Sequence, residues 1–439
     1  MPRFSKINLN RENFLSVLVA LIPVSFIAGN MVININLIFL IIASLIFFRE
    51  NLFSLKKFFL DKIIISFFLL ILITGVINDY YFYKENLHWK GYFGTIIKSL
   101  FFLKYLFLYF VIRFLVEKNF LNLKLFFIFS SFSALFVSID IFFQFINGKD
   151  VFGFVGQYRK LSGPFGDELI AGGFIQRFSL FAFFLFPIYF TKKNNFKINK
   201  YLIPILFIIF FIALILSGNR MPAIMFLFSI LLVLIFQKQS RKYLIPFVIV
   251  FSVLFSVLLK SNENIKMNFK NFYFQVSTMA VLTMNKDFSS NNAPSYLKEF
   301  SSFYNTWLLN KYIGGGIKNF RYYCHVKPIV YSNNKFSCNM HPHNYYLEIL
   351  TETGIVGFII ISIIFLNVLF LSLVKKYFLI STLKNNNIII PFIFLFITEI
   401  FPFKSTGSFF TTGNATYIFL ILGLIIGLVR RYNSIEKNI

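Results

Sequence analysis

Long apolar runs alternate with short polar breaks along most of this chain. A helix needs roughly 17–25 apolar residues to cross about 30 Å of hydrocarbon. Runs of that kind fall at 13–29, 31–48, 62–78, 95–115, 125–146, 172–190, 201–217, 222–237, 243–260, 345–374, 388–403 and 413–429. The pattern predicts an all-α integral membrane protein of about twelve transmembrane helices, with the eighth and eleventh on the short side. The first run leads straight into a second, so it reads as an anchor and not as a cleaved leader. No internal repeat of the kind that marks inverted-repeat transporters is visible.

One long polar stretch breaks the alternation, the 82 residues from Ser261 to Pro342. It divides the chain into 1–260 (helices one to nine), a loop subdomain at 261–342, and 343–439 (helices ten to twelve). Inside the loop, SYLKEFSSFYNTWLLN (295–310) has apolar residues at 296/297, 300, 303/304 and 307/308, the spacing of an amphipathic helix. Such a helix lies along the membrane face, caps a cavity, or packs into a small subdomain of its own.

Composition agrees with a lipid solvent: 57% of residues are hydrophobic and 14% charged, against about a quarter charged in soluble domains. The net charge of +26, from 43 basic and 17 acidic residues, raises the question of nucleic acid. Position answers it. With the N-terminus inside, alternate loops carry the basic residues, among them Lys56/Lys57, Lys192/Lys193, Arg241/Lys242, Lys375/Lys376 and Arg430/Arg431. The positive-inside rule then puts both termini in the cytoplasm and the long loop outside. The charge is topology, and no nucleic-acid partner is expected.

Charges inside apolar spans are costly and so are functional candidates. Here they include Lys98, Lys104, Asp140, Arg177 and Glu399. Arg220 in SGNRMP, Arg159 in QYRKLSGPFGDELIAGG and Arg321 in GGGIKNFRYY face the same outer side. Each alone could snorkel to its interface; as a set they suggest an outward-facing cavity. Arginines beside glycine-rich turns suit a phosphate or pyrophosphate. Outside the cytoplasm that anion comes attached to lipid, as a polyprenyl-pyrophosphate carrying a sugar chain, although lipid head groups would fit the same basic pocket.

The stretch HPHNYYLEILTETGIVG (341–357) holds two of the four histidines. Glycosyl transfer from a pyrophosphate donor needs a base for the acceptor hydroxyl and cations for the leaving group. A histidine among arginines serves the first need, and the arginines serve the second. In a helix starting near His343, Gly354 and Gly357 share a stripe with it, and their small size admits a neighbouring helix. The plainer reading is two packing glycines and an unrelated histidine. Cys324 and Cys338, both in the long loop, would pair in an oxidising periplasm, closing a loop of about 15 residues worth about 3 kcal/mol; two unpaired thiols are the alternative. A metal held by Cys324, His325, Cys338, His341 and His343 is a rival, but their spacing matches no common zinc pattern. Neither a metal nor a cofactor is expected.

The sequence resembles the bacterial O-antigen ligases and O-antigen polymerases. Their signature is His, then Asn, Ser or Gln, nine residues, Gly, two residues, then Gly, Thr or Tyr. His343-Asn344, nine residues, Gly354, Ile355-Val356 and Gly357 fit it without a gap. SGNR (217–220), GGGIKNF (314–320) and LSGPFGDELIAGG (161–173) are similar to the family's other turns, in the same order. The resemblance implies a metal-independent, inverting membrane glycosyltransferase of the GT-C type, with His343 as catalytic base and Arg220 on the pyrophosphate. Arg321 is a weaker match; Arg159 and Arg177 join the pyrophosphate-binding set from the outward-facing cavity and not from the resemblance. Relatives often carry an arginine near the start of the amphipathic helix; here the nearest cation is Lys298. The implied donor is an undecaprenyl-pyrophosphate-linked glycan in the bacterial inner membrane, handled on the periplasmic side. The acceptor is lipid A-core for a ligase, a lipid-linked repeat unit for a polymerase, or a protein hydroxyl for an oligosaccharyltransferase. A flippase for lipid-linked oligosaccharide, also built from about a dozen spans, would use the cavity but need no base.

Overall fold

The computed structural model describes residues 10–84, 94–156, 160–189, 196–237, 240–284, 294–320, 341–378, 388–405 and 407–436. Among them the chain is helical and forms no strand, only an isolated bridge between Lys149 and Val155. The helices are α1 (Arg11–Ala20), α2 (Ile22–Ala28), α3 (Asn30–Phe53), α4 (Phe59–Lys84), α5 (Gly94–Phe102), α6 (Lys104–Glu117) and α7 (Leu123–Asn147). They continue as α8 (Ala171–Phe178), α9 (Leu180–Tyr189), α10 (Phe196–Leu216), α11 (Arg220–Phe236), α12 (Leu244–Ser261), α13 (Glu263–Met284) and α14 (Ser295–Leu309). The last three are α15 (Tyr345–Leu369, continued by π-type turns to Phe378), α16 (Ile389–Glu399) and α17 (Thr412–Glu436).

Each of the twelve apolar runs falls on helix. Among the described residues, eight helices are long and apolar enough to cross a membrane, or nine if α1 and α2, bent by 42°, make one span. The helical stretches Tyr201–Leu216, Arg220–Phe236 and Ile389–Glu399 are apolar but shorter. In α16 the cause is local. The run was expected to reach 403, but Pro402 lacks an N–H and forces Phe401 out of helical geometry, so the helix stops at Glu399.

The chain divides into two compact units, 1–47 with 115–273 and 380–399, and 48–114 with 274–379 and 400–439. The core of the first is aromatic, with Phe126, Phe127, Phe181 and Phe392 in mutual ring contact at 5.1–6.1 Å. The second packs Phe68, Phe102, Phe409 and Phe419 together, with Phe68 and Phe102 stacked at 5.5 Å.

The second unit also buries an ion pair. Arg113 of α6 and Asp61 of α4, 0% and 1% exposed, meet at 2.5 Å. Tyr109 Oη donates to Asp61 Oδ1 at 2.8 Å, and the Phe58 N–H donates to Oδ2 at 2.6 Å. Arg113 Nη2 donates to the Lys56 carbonyl, and both Arg113 and Arg430 of α17 sit over the Phe58 ring. A buried pair supplied with this many partners ties its helices together, and loss of one member leaves an uncompensated charge.

Candidate active site

The site is built at the start of α15. Asn344 is its N-cap: the backbone is extended there and Oδ1 accepts from the Leu347 N–H at 3.0 Å, which satisfies an otherwise orphaned helix donor. The helix thus begins just after His343. Its first two turns also pin the segment that precedes α17. Asn344 Nδ2 donates to the Pro402 carbonyl at 2.7 Å and Tyr346 Oη donates to the Ile400 carbonyl at 2.5 Å. Glu348, 1% exposed, accepts from Ser408 Oγ and from the Phe409 N–H, both at 2.5 Å.

His343 itself has φ +52°, the left-handed region that few side chains other than Asn, Asp and His adopt. Strain of that kind persists where the surroundings over-determine it. Here the imidazole meets His341 edge-on at 4.4 Å between ring centres, and Tyr296 of α14 at 5.7 Å. Burial first, and the adjacent His343 ring second, push His341 down to about 4, so it is neutral near pH 7. His341 therefore puts no positive charge beside His343 at that pH.

The amphipathic segment is α14, and it packs on α15. Phe303 of α14 stacks on Phe320, with Leu347 against the pair, and Thr351 Oγ1 donates to the Phe303 carbonyl at 3.2 Å. Tyr296 brings the same helix to His343. Lys298, one turn in, is partly buried.

Below His343, α15 is broken. Gly354 has φ +67° and ψ −174°, a combination open essentially to glycine alone. The turn at 311–316 is spliced into the gap. Gly315 and Gly316 N–H groups donate to the Thr351 and Glu352 carbonyls at 3.0 and 2.8 Å; in return the Ile355 N–H donates to the Lys311 carbonyl at 2.9 Å. A Cβ on Gly314 or on Gly354 would strike the backbone of the other segment. The sequence suggested a continuous helix with Gly354 and Gly357 on one stripe. Instead, Gly354 is the break, while a Cβ on Gly357 would face the Thr353 side chain and, at 3.3 Å, Leu70 of α4.

Glu352, one turn after Glu348 and also 1% exposed, accepts from the Lys318 N–H at 2.7 Å. Lys318 has φ +55°, and its carbonyl accepts from Lys98 Nζ at 3.4 Å. Glu352 interacts with the charges of Lys318 and Lys98, and Lys318 also with those of Glu348 and Lys104. Lys98 and Lys104 thus join one ionic cluster with two glutamates. The rule that singles out charges in apolar spans applies to Glu348 and Glu352 as much as to Lys98, so their signal was present four residues apart in YYLEILTE. Tyr296 and Lys318 carried no such signal, because long-range folding alone brings them there.

The remaining candidates lie in the first unit. Arg177 of α8 forms a two-pronged pair with Glu399 of α16, Nη2–Oε1 at 2.6 Å and Nε–Oε2 at 3.2 Å, beside a Gln176–Thr398 hydrogen bond. Arg220, the first residue of α11, donates from Nη1 to the Asn268 carbonyl at 2.9 Å and covers the Phe272 ring. Asp140 accepts from the Val151 N–H at 2.9 Å. Arg159, Arg321, Cys324 and Cys338 lie outside the described residues, so the disulfide and those two arginines have no geometry here. Among the described residues, no three His, Cys, Asp or Glu side chains converge as a metal site.

No curated protein matches the chain. Residues 205–362, running from α10 to the middle of α15 and including Arg220, His343, Gly354 and Gly357, match the family model described as O-antigen ligase. Over that segment, a little over a third of the chain, the sequence is similar to the O-antigen ligase family, which its His343-to-Gly357 spacing also resembles.

Proposed function

We propose that this protein is a membrane glycosyltransferase of surface polysaccharide assembly. In this reading it transfers an undecaprenyl-pyrophosphate-linked glycan to an acceptor hydroxyl at the periplasmic face of the bacterial inner membrane. In the same reading the chain crosses the membrane twelve times, which leaves both termini in the cytoplasm. His343 takes the proton of the acceptor hydroxyl as the oxygen attacks the anomeric carbon. The carbon–oxygen bond to pyrophosphate breaks with its electron pair, the configuration inverts, and no metal is required. Arg220 binds the departing pyrophosphate, with Arg321 and Arg159 as further ligands. Arg177, whose fork Glu399 engages, would reach the anion only by exchanging partners.

The observation that carries this reading is the family match ending in the helix that His343 precedes. The neutral His341 beside it and the strained backbone at His343 support a fixed, proton-accepting imidazole. The acceptor is lipid A-core, another lipid-linked repeat unit or a protein hydroxyl. The test is a deletion strain complemented with wild type, His343→Ala or His343→Gln, scored for surface glycan and for the level of folded protein. Lost glycan at normal protein level is expected. Full glycan from either variant would remove the base and favour the flippase. In the deletion strain, core capped by one repeat unit identifies a polymerase, and bare core with accumulated lipid-linked chains identifies a ligase.

A further inference from the structure

The turn that follows α7 buries two carboxylates that the proposed transfer does not use. Asp140, in the last two turns of the helix, is 1% exposed, and Asp150, just beyond it, is 3% exposed. One oxygen of each is satisfied by the turn's own backbone. The Val151 N–H donates to Asp140 Oδ1 at 2.9 Å and the Phe154 N–H donates to Asp150 Oδ1 at 2.6 Å. The other oxygen of each, Oδ2, is buried and takes no hydrogen bond. The two groups interact electrostatically as like charges.

Asp140 Oδ2 lies 3.7 Å from where a Cβ on Gly163 would stand, so it points out of α7 towards the loop that returns past it. Gly163, at φ +54°, adds no side chain there, while Ile141 Cγ1 at 3.3 Å and Ala171 Cβ at 3.7 Å border the same point. The loop's described basic residues, Lys149 and Lys160, are exposed and pair with neither carboxylate. A buried carboxylate oxygen that takes no hydrogen bond is costly unless a counter-charge meets it. The turn is already formed: the Asp150 N–H donates to the Phe154 carbonyl at 2.9 Å and the Gly156 N–H to the Gly148 carbonyl at 3.1 Å. A ligand there would not have to order the chain.

We propose that Asp140 and Asp150 bind one hard divalent cation, calcium or magnesium, through their Oδ2 atoms, tying the end of α7 to the loop at 148–156. The donors are oxygens alone, which these ions prefer, and magnesium in particular is held by one or two carboxylates while keeping several waters. The role is structural. It is independent of the glycan-transfer reading, because it is read from folding and not from product.

The test is thermal unfolding of the purified full-length protein in nanodiscs, after chelation, with calcium or magnesium chloride against sodium chloride of equal ionic strength. A cation at about 100 times its dissociation constant should raise the unfolding temperature by about 5 °C. Asp140→Asn and Asp150→Asn should abolish the rise, and Glu263→Gln, at an exposed acid elsewhere, should keep it. Should the Asn variants fail to fold, calorimetric titration of the wild type with calcium chloride decides, with one ion per chain expected and no uptake overturning the proposal. A rise that survives in both Asn variants would overturn it too. So would a stability that follows pH and ignores the cation, since the pair would then share a proton.

Discussion

The second unit buries two polar clusters, and they are put together in opposite ways. Around Asp61 and Arg113 the charges meet as an ion pair, the helices that carry it are regular, and its partners include a tyrosine hydroxyl, a backbone N–H, a backbone carbonyl and the Phe58 ring that Arg430 also covers. At the start of α15, two glutamates interact with Lys318 and one of them also with Lys98, His343 and Lys318 stand in left-handed backbone, and the helix is cut at Gly354 to admit another segment. Burial of charge is common to both. An ion pair on regular backbone needs only a structural explanation, whereas strain held in place by hydrogen bonds between distant segments fixes groups where a reaction can use them.

Exchanging the properties of the two clusters tests that contrast. The largest effect is expected for His343→Gln: transfer falls by about 10²–10⁴-fold, the range of a lost general base, while the unfolding temperature barely moves. Asp61→Asn should do the reverse. It leaves Arg113 buried without its counter-charge, a loss of about 3–5 kcal/mol of stability seen as a lower unfolding temperature and a lower level in the membrane. If Asp61→Asn kept stability but lost transfer, the contrast between the clusters would fail. Gly354→Ala comes next. The backbone conformation alone costs about 1–3 kcal/mol for a residue other than glycine, and the new methyl strikes the Tyr312 carbonyl. Transfer should fall together with stability, because the splice also orders the 311–316 turn.

The last prediction concerns pH. His341 is held at about 4 in the fold, against 6.5 when unfolded. The unfolded chain takes up this proton first, so the contribution of His341 is full above 6.5 and is lost as pH drops towards 4. Unfolding temperatures of wild type and His341→Gln, measured between pH 4 and 7, should diverge in slope within that window. Parallel curves would mean that the fold does not hold His341 neutral below its ordinary value.

Much of this molecule is legible in its residues. The apolar runs announce the helices because lipid or core must cover them wherever they pack, and that requirement is local. The amphipathic spacing at 295–310 gave a helix, and the histidine-to-glycine spacing lies inside the segment that matches a family model. Glu348 and Glu352 were visible as charges in an apolar run, but their partners were not. Glu348 bonds residues 60 and 61 positions away, and Arg177 finds Glu399 across 222.

By itself, then, the sequence determined which segments are helical and apolar, which loops are basic, and that His343 stands at the start of the helix carrying Gly354 and Gly357. The tertiary structure alone decided that this helix is cut at Gly354 and filled by the 311–316 turn, that Tyr296 reaches His343, and which buried charges meet. Helix formation is settled by hydrogen bonds four residues apart and by the nearest apolar face. A splice or an ion pair depends on segments that meet only after the chain has folded, and spacing along the sequence does not encode that meeting.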